Sequence, residues 1–130
     1  MVNDPIGDML IQIKNAALAG KNTVELPHSQ FKEALAKVLV QEGFLESVDK
    51  TGNAPKFILK LVLVYKTGAS VITGVSRISK PGLRVYVDKR SIPLVVGGMG
   101  VAIVSTPLGL LTGKEAKKKG IGGELLCEIW

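Results

Sequence analysis

A chain of 130 residues suits one compact domain or two small subdomains that share an interface. Its 46% hydrophobic and 22% charged residues exclude an intrinsically disordered protein. The first residues lack a basic segment followed by an apolar core, so we expect no secretion signal. The single cysteine, Cys127, excludes an internal disulfide, and we expect it to be a small buried hydrophobe in a reducing compartment.

The excess positive charge is confined to the second half of the chain. Residues 1–65 carry seven lysines and seven acidic residues, whereas residues 66–130 carry ten basic and four acidic residues, which accounts for the net charge of +6. This asymmetry favours a polyanionic partner, because lysine and arginine contacts to phosphate supply most of the non-specific affinity for nucleic acid. The alternative is a basic surface that serves only solubility.

The first half predicts two helices packed on a small sheet. Apolar residues recur at helical spacing in two segments and then alternate along a pair of strands. Lys14 and Asn15 lie on the outer face of the first helix and are candidates for phosphate contacts, although such residues also occur on any solvated helix face. In chain order the predicted elements are a helix from Pro5 to Gly20 capped by Asn3 or Asp4, a strand over 23–26 ended by Pro27, a helix from Ser29 to Gly43 with Phe31, Leu35, Val38 and Leu39 on its inner side, and a hairpin of strands 44–48 and 56–65.

The second half is expected to begin after Lys66, where Thr67, Gly68 and Ala69 form a natural boundary. It predicts a strand over 70–78, a turn at Pro81-Gly82 and a returning strand over 83–87. Alternation along the returning strand places Arg84 and Tyr86 on the face opposite Leu83, Val85 and Val87. We expect this surface also to carry Lys80, Lys89 and Arg90. A tyrosine among cations on an exposed strand is suited to stacking on bases and contacting phosphates; the alternative is that Tyr86 covers a neighbouring strand.

An uncharged stretch over 91–113 is too interrupted by prolines and glycines to be a membrane-spanning helix. It predicts an apolar turn over 92–96, a loop over 97–100 and a buried strand over 101–104. That strand ends at Ser105, Thr106 and Pro107, and its polar tip is where we expect function. After it come a capped helix over 113–119, with Lys117, Lys118 and Lys119 in its last turn, and a closing strand over 124–130.

No motif of enzyme or cofactor chemistry is complete. The segment over 109–115 resembles a phosphate-binding loop but is one residue short and has Glu115 where Ser or Thr is needed. His28 is the only histidine and has no nucleophile or metal ligand near it in sequence, so we expect no catalytic residue, metal or cofactor. Residues 97–100 and 120–123 each match the G-x-x-G of the KH module, which makes a KH-like single-stranded RNA-binding module outside the ribosome the alternative interpretation.

Several blocks together resemble the family of bacterial-type small-subunit ribosomal protein eight, and the resemblance covers the whole chain. It implies an α+β fold with an N-terminal α/β subdomain over 1–66, of two helices on a small sheet, and a mostly β, basic subdomain over 67–130 with one short helix. The matching blocks are residues 3–6, 8–10, 13–15, 42–44, 77–86, 98–103, 105–106 and 122–127.

The resemblance also implies a function. The implied protein is a non-enzymatic structural constituent of the small ribosomal subunit. Such a protein binds the central domain of small-subunit ribosomal RNA early in assembly, chiefly through the C-terminal half of the protein chain. The implied partners are that RNA, neighbouring small-subunit ribosomal proteins and, in some bacteria, the operon messenger, whose translation such proteins repress; no membrane is implied. The expected location is the ribosome in the cytoplasm, with an organellar ribosome as the alternative.

The candidate RNA-binding residues combine the family pattern with the basic surface. The resemblance implies roles for Tyr86 on a sugar or base, for Ser105 and Thr106 at the minor groove or an unpaired base, and for Glu124 in orienting the loop or meeting a donor. Pro107 stands where the family has serine and Leu108 where it has a polar or basic residue, which predicts RNA contacts weakened by about 1 kcal/mol. The full candidate set is Lys14, Asn15, Lys80, Arg84, Tyr86, Ser105, Thr106, Gly123 and Glu124.

Overall fold

The computed structural model describes residues 4–130, so Asn3, one of the two predicted helix caps, lies outside the described residues. The chain forms two compact units, an N-terminal unit of Asp8–Ile72 and a C-terminal unit of residues 4–7 with Thr73–Trp130. The predicted α+β class, with an N-terminal α/β part and a mostly β C-terminal part, is confirmed. Within the described residues, none of the helices combines the length and the hydropathy needed to cross a membrane.

The N-terminal unit is built on a three-stranded antiparallel sheet. Its strand order is β1-β3-β2, with a separate short hairpin of β4 and β5. The predicted subdomain boundary after residue 66 falls in the turn of that hairpin and stays a prediction. The elements are α1 (Pro5–Leu18), β1 (Thr23–Pro27), α2 (Gln30–Gln41), β2 (Leu45–Asn53), β3 (Lys56–Leu63), β4 (Tyr65–Lys66) and β5 (Ala69–Ser70). Residues 5–7 of α1 belong to the C-terminal unit, and the rest of the helix belongs to the N-terminal unit.

The helices of this unit form where the sequence predicts them, whereas β2 runs to Asn53, five residues beyond the strand predicted over 44–48. The Ser29 hydroxyl accepts the Lys32 N–H at 3.1 Å and caps α2. The chain leaves the helix at Gly43, which has a φ of 84°. Leu35 and Leu39 are fully buried, but Phe31 is 41% exposed, so its predicted place on the inner side is wrong. Phe31 occupies the first turn of α2, and the buried residues of the helix begin one turn later, at Leu35.

The C-terminal unit is a five-stranded antiparallel sheet with one short helix. The strand order is β6-β10-β8-β9, and β7 pairs with the first residues of β10 on the same side as β6. The elements are β6 (Val75–Arg77), β7 (Tyr86–Val87), a 3₁₀ turn (Val95–Gly98), β8 (Val101–Thr106), β9 (Gly109–Thr112), α3 (Gly113–Lys119) and β10 (Gly123–Ile129).

Two strands of this unit are shorter than the alternation predicts. The strand predicted over 70–78 is interrupted because the Thr73 and Gly74 N–H groups both donate to the Trp130 carbonyl, at 2.7 and 2.9 Å. The strand predicted over 83–87 is reduced to β7. Leu83 closes the turn by exchanging two 2.9 Å hydrogen bonds with Lys80, and it is 68% exposed rather than directed inward.

The short helix and the core match the sequence pattern. Thr112 and Glu115 form the predicted capping box of α3, and the helix ends at Gly120 in a left-handed conformation. One core cluster comprises Val95, Ala102, Val104 and Leu125, with Ile78, Val85, Val87 and Trp130 packed against it. Cys127 is fully buried as expected, and burial raises the pKa of its thiol to about 12.

Two glycines allow β10 to begin between its neighbours. A Cβ on Gly123 would overlap the Ser105 carbonyl oxygen of β8, and a Cβ on Gly122 would overlap the Val87 carbonyl oxygen of β7. The neighbouring groups are backbone and cannot rotate away. These two positions are therefore restricted to glycine by close backbone approach.

We expect Gly123→Ala to lower the free energy of unfolding by about 2–3 kcal/mol, because the added methyl group forces two strands apart. Gly82→Ala is the matched control, since a Cβ there meets nothing within 4 Å and its φ is not positive; it should change stability by less than about 0.5 kcal/mol. Urea denaturation measures both values. Equal stability of the two variants would contradict the close approach at Gly123.

Candidate nucleic-acid interface

Three of the candidate residues lie side by side across three adjacent strands. Glu124 of β10 is paired with Tyr86 of β7 and with Ser105 of β8. Directly paired residues project from the same face of a sheet, so these side chains form one line, which we call the polar row (Tyr86, Glu124 and Ser105). Tyr86 is 70% exposed, so it does not cover a neighbouring strand. The polar row thus combines an exposed aromatic ring, a carboxylate and a hydroxyl.

The carboxylate of Glu124 is held by two side chains. It accepts a hydrogen bond from the Ser79 hydroxyl and another from Arg84 Nη1 at 3.0 Å. Ser79 is fully buried, and its hydroxyl oxygen also accepts the Val85 N–H at 3.2 Å. One serine hydroxyl therefore joins the segment before the Lys80–Leu83 turn, the segment after it and β10.

These contacts determine the charge of Glu124. Burial alone would raise the pKa of the Glu124 carboxyl, but the hydrogen bonds from Ser79 and Arg84, together with the Arg84 and Arg77 charges, outweigh burial and lower that pKa. The group is consequently ionised at neutral pH. Its negative charge is paired with the Arg84 guanidinium, and the Arg84 side chain remains 49% exposed.

A second ion pair joins Arg77 of β6 to Asp4. Arg77 is 12% exposed at its side chain, donates from Nη1 to the Leu126 carbonyl at 2.6 Å and lies 3.3 Å from the Asp4 carboxylate. Burial opposes ionisation of Asp4, yet hydrogen bonds from Arg77 and from the Gly7 N–H lower its pKa. Asp4 therefore caps α1 as predicted and also neutralises the buried guanidinium.

The roles of Arg77 and Ser79 were missed at the level of sequence. The available signal was that Arg77 shares a face of the alternating strand with Val75. An arginine that points inward requires an acidic or carbonyl partner inside the protein, so this position predicted such a partner. Ser79 gave no comparable signal. A lone serine before a turn is common, and its partners are distant in sequence.

Ser105 and Thr106 project from opposite faces of β8, because successive residues of a strand alternate. Only Ser105 belongs to the polar row. The Thr106 hydroxyl donates to the Gly109 carbonyl at 2.8 Å and accepts the Leu108 N–H at 3.1 Å, which closes the β8–β9 turn. Contact of Thr106 with RNA stays a prediction. Its hydroxyl hydrogen is engaged within the turn.

The turn between β8 and β9 is short of hydrogen-bond donors at its two central residues. Pro107 has no N–H, and the Leu108 N–H is taken by Thr106. Leu108 is 65% exposed. This tip consequently presents an apolar side chain and backbone carbonyl oxygens, which suit a hydrogen-bond donor better than a phosphate.

The remaining candidate residues are distributed over both units. Lys80 is exposed in the turn that follows Ser79, and it makes no ion pair with the residues that the structure describes. Gly123 adjoins the polar row and contributes the close backbone approach described above. In the N-terminal unit, Lys14 is half-buried and Asn15 is exposed on α1. The structure thus brings together the candidates on β7, β8 and β10, and it leaves Lys14 and Asn15 as a separate set.

The single histidine has a structural explanation. His28 Nε2 lies 2.8 Å from Glu33 Oε1, and Lys37 approaches the same carboxylate at 3.5 Å. The hydrogen bond from His28 is the main cause that lowers the pKa of Glu33. His28 borders a groove of about 570 Å³ with Phe57 and Pro55. Its partner is a helix residue that fixes the loop before α2.

Neither G-x-x-G segment has the setting of a KH loop. Residues 97–100 run from the second half of the 3₁₀ turn to the residue before β8, and residues 120–123 run from the end of α3 into β10. A KH loop lies between two helices, and neither segment does. The KH-like interpretation is therefore not supported by the fold.

Comparison with known proteins identifies the family. A model of the family described as ribosomal protein S8 matches residues 4–130. The chain is 53% identical over 131 residues to the small ribosomal subunit protein uS8 of Dehalococcoides mccartyi, with 100% of both chains covered. It is 49% identical to uS8 of a Thermoanaerobacter species (100% of this chain, 99% of the relative) and 46% identical to uS8 of Dictyoglomus thermophilum (99% and 98%). The chain belongs to the ribosomal protein S8 family, as the resemblance predicted.

The lowered pKa of Glu124 predicts a defined pH dependence. A carboxyl whose pKa is depressed on folding contributes stability above its unfolded value, near 4.5, and loses that contribution as the pH falls through the folded value. We therefore expect the stability difference between the wild type and Glu124→Gln to narrow below about pH 4.5. Urea denaturation between pH 7 and pH 3 measures it. Glu128→Gln on the same strand is the control, and a Glu124→Gln difference that stays constant with pH would contradict the assignment.

Proposed function

We propose that the protein is a structural, non-enzymatic constituent of the small ribosomal subunit, and that it binds the central domain of small-subunit ribosomal RNA and assists assembly of the subunit. The family membership supports the ribosomal role, because the relatives are named as small ribosomal subunit proteins. The observation that carries RNA binding is the polar row, in which an exposed tyrosine, an oriented carboxylate and a hydroxyl lie together on the basic half of the chain.

In this proposal Tyr86 and Ser105 read the RNA directly. The exposed Tyr86 ring stacks on a ribose or an unpaired base, which is worth about 1–3 kcal/mol per base in single-stranded recognition. The Ser105 hydroxyl, which has no hydrogen-bond partner among the described residues, both donates and accepts. It is suited to a base edge or a 2′-hydroxyl in the shallow minor groove of an A-form helix.

Glu124 acts chiefly as a positioning residue. Its carboxylate is occupied by Ser79 and Arg84, so it orients Arg84 beside Tyr86 instead of repelling phosphate as a free charge would. The exposed part of the Arg84 guanidinium retains N–H groups for a phosphate. Lys80 supplies a second phosphate contact, and Gly123 lets the strands lie close enough for the row to form.

The β8–β9 tip extends this surface with a different chemistry. Because Pro107 and Leu108 offer no free backbone donor, we propose that the carbonyl oxygens there meet base amino groups or ribose hydroxyls. Thr106 fixes the turn. In the N-terminal unit, Lys14 and Asn15 are proposed to contact phosphates through their own face of α1.

The proposal includes partners beyond the hairpin. Neighbouring small-subunit ribosomal proteins are expected contacts, and the protein is expected in the cytoplasmic ribosome. An operon messenger that carries an irregular helix of the same shape would bind the same polar row, and binding there would repress its translation. Recognition of the RNA is assigned chiefly to residues 67–130, and Lys14 and Asn15 add phosphate contacts from the N-terminal unit.

A gel-shift titration tests the proposed function. The purified full-length protein is titrated into a central-domain ribosomal RNA hairpin and, separately, into a hairpin of the same composition and scrambled sequence. We expect an affinity for the intended hairpin at least about 10³-fold higher than for the control at physiological salt. Equal affinity for the two hairpins would contradict specific recognition by the polar row.

Three single substitutions separate stacking from charge. Tyr86→Ala should weaken hairpin binding by about 1–3 kcal/mol with little change in the salt dependence, because the lost contact is uncharged. Lys80→Ala or Arg84→Ala should lower the slope of log K against log salt by about one unit. Lys56→Ala in the N-terminal unit is the charge-matched control. Identical salt slopes for Tyr86→Ala and Lys80→Ala would contradict these assignments.

A further inference from the structure

Six basic residues form a surface that the polar row does not use. We call it the α3 basic cluster, and all six side chains are exposed. None of them forms an ion pair with another described residue. Its ends are linked in space, because the Lys89 side chain lies beside Gly120 at the end of α3. The members are Lys89, Arg90, Lys114, Lys117, Lys118 and Lys119.

Helix stability accounts for only part of this cluster. Lys117, Lys118 and Lys119 occupy the last turn of α3, where cations favour the helix dipole. Lys114 is in the first turn, where a cation opposes the dipole. It also precedes Lys117 and Lys118 by three and four residues, and like charges at these spacings repel each other along the helix. The free protein therefore retains a repulsion that a polyanion would relieve.

The acidic residues of the same segments do not pair with these cations. The Asp88 carboxylate accepts the N–H groups of Arg90 and Ser91, both at 2.9 Å, and the Arg90 side chain is left exposed. Glu115 is engaged with Thr112 in the capping box. The Asp88 and Glu115 carboxylates are thus engaged in local hydrogen bonds, and neither forms an ion pair with any of the six cations.

The cluster lies on the opposite side of the sheet from the polar row. Gly113 packs against Ile92 and Ala102, where a Cβ would lie 3.4 Å from the Ala102 Cβ, and Ala116 is fully buried. Ala102 projects from the face of β8 opposite Ser105, because these residues are three positions apart along the strand. An RNA helix seated on the polar row is therefore separated from α3 by the sheet.

We infer that the α3 basic cluster binds the phosphate backbone of a second RNA segment, distinct from the segment on the polar row. The inference rests on the proposed function, since the second segment is taken from the same ribosomal RNA. Lysines act as mobile point charges, so this contact adds affinity without reading sequence. The protein would then hold two RNA segments on opposite sides of one small sheet.

Two RNAs and two charge-matched variants test the inference. The first variant is the triple substitution Lys114→Gln, Lys117→Gln and Lys118→Gln; the control is Lys21→Gln, Lys56→Gln and Lys60→Gln in the N-terminal unit. Each is titrated against the hairpin alone and against the whole central domain. The first variant should bind the hairpin within about twofold of the wild type and the whole domain about tenfold more weakly, with a salt slope lowered by about two to three units.

Footprinting locates the contact, and several outcomes would overturn it. Hydroxyl-radical protections lost by the α3 variant should fall in an RNA segment outside the hairpin. The inference is overturned if the α3 variant binds the whole domain as tightly as the wild type does, or if it loses the same affinity for both RNAs. It is also overturned if the control variant loses as much affinity for the whole domain, or if only the binding of ribosomal proteins is lost. Failure of the proposed function is distinguishable, because it appears as equal binding of the wild type to intended and scrambled hairpins. A urea unfolding midpoint equal to that of the wild type verifies that the variant is folded.

Discussion

The C-terminal unit depends on the way in which one partly buried carboxylate is held. Glu124 loses part of its hydration on folding, and this cost is met by the Ser79 hydroxyl and the Arg84 guanidinium. The same contacts fix the segments on either side of the Lys80–Leu83 turn against β10. Tyr86 is exposed next to this carboxylate because β7 pairs with β10 at Glu124. The geometry of the polar row is thus a consequence of charge satisfaction within the protein.

The local parts of this structure could be predicted from sequence. The capping residues Ser29 and Thr112, the turn glycines and the alternation along β3 and β10 act over a few residues, and each has a direct sequence signal. The candidate residues Tyr86, Ser105 and Glu124 were also found in advance, partly from the basic half and partly from the family resemblance. Their alignment in one row could not be derived, because it depends on strand register.

The errors have non-local causes. The strand predicted over 70–78 is broken by hydrogen bonds to Trp130, the last residue of the chain, and no periodicity within the segment reports them. Leu83 is exposed because the turn takes both of its backbone groups, although its place in the alternation pointed inward. Thr106 belongs to the same dipeptide as Ser105, yet its hydroxyl is used inside the turn. In each case tertiary contacts override a correct local pattern.

The chemistry of Cys127 has a consequence for the durability of the protein. Oxidation and alkylation proceed through the thiolate, and at neutral pH a thiol whose pKa is about 12 supplies almost none of it. The side chain also has no exposed surface by which peroxide or a disulfide could approach. The only sulfhydryl of the chain is therefore protected from oxidants and alkylating reagents for as long as the C-terminal unit stays folded.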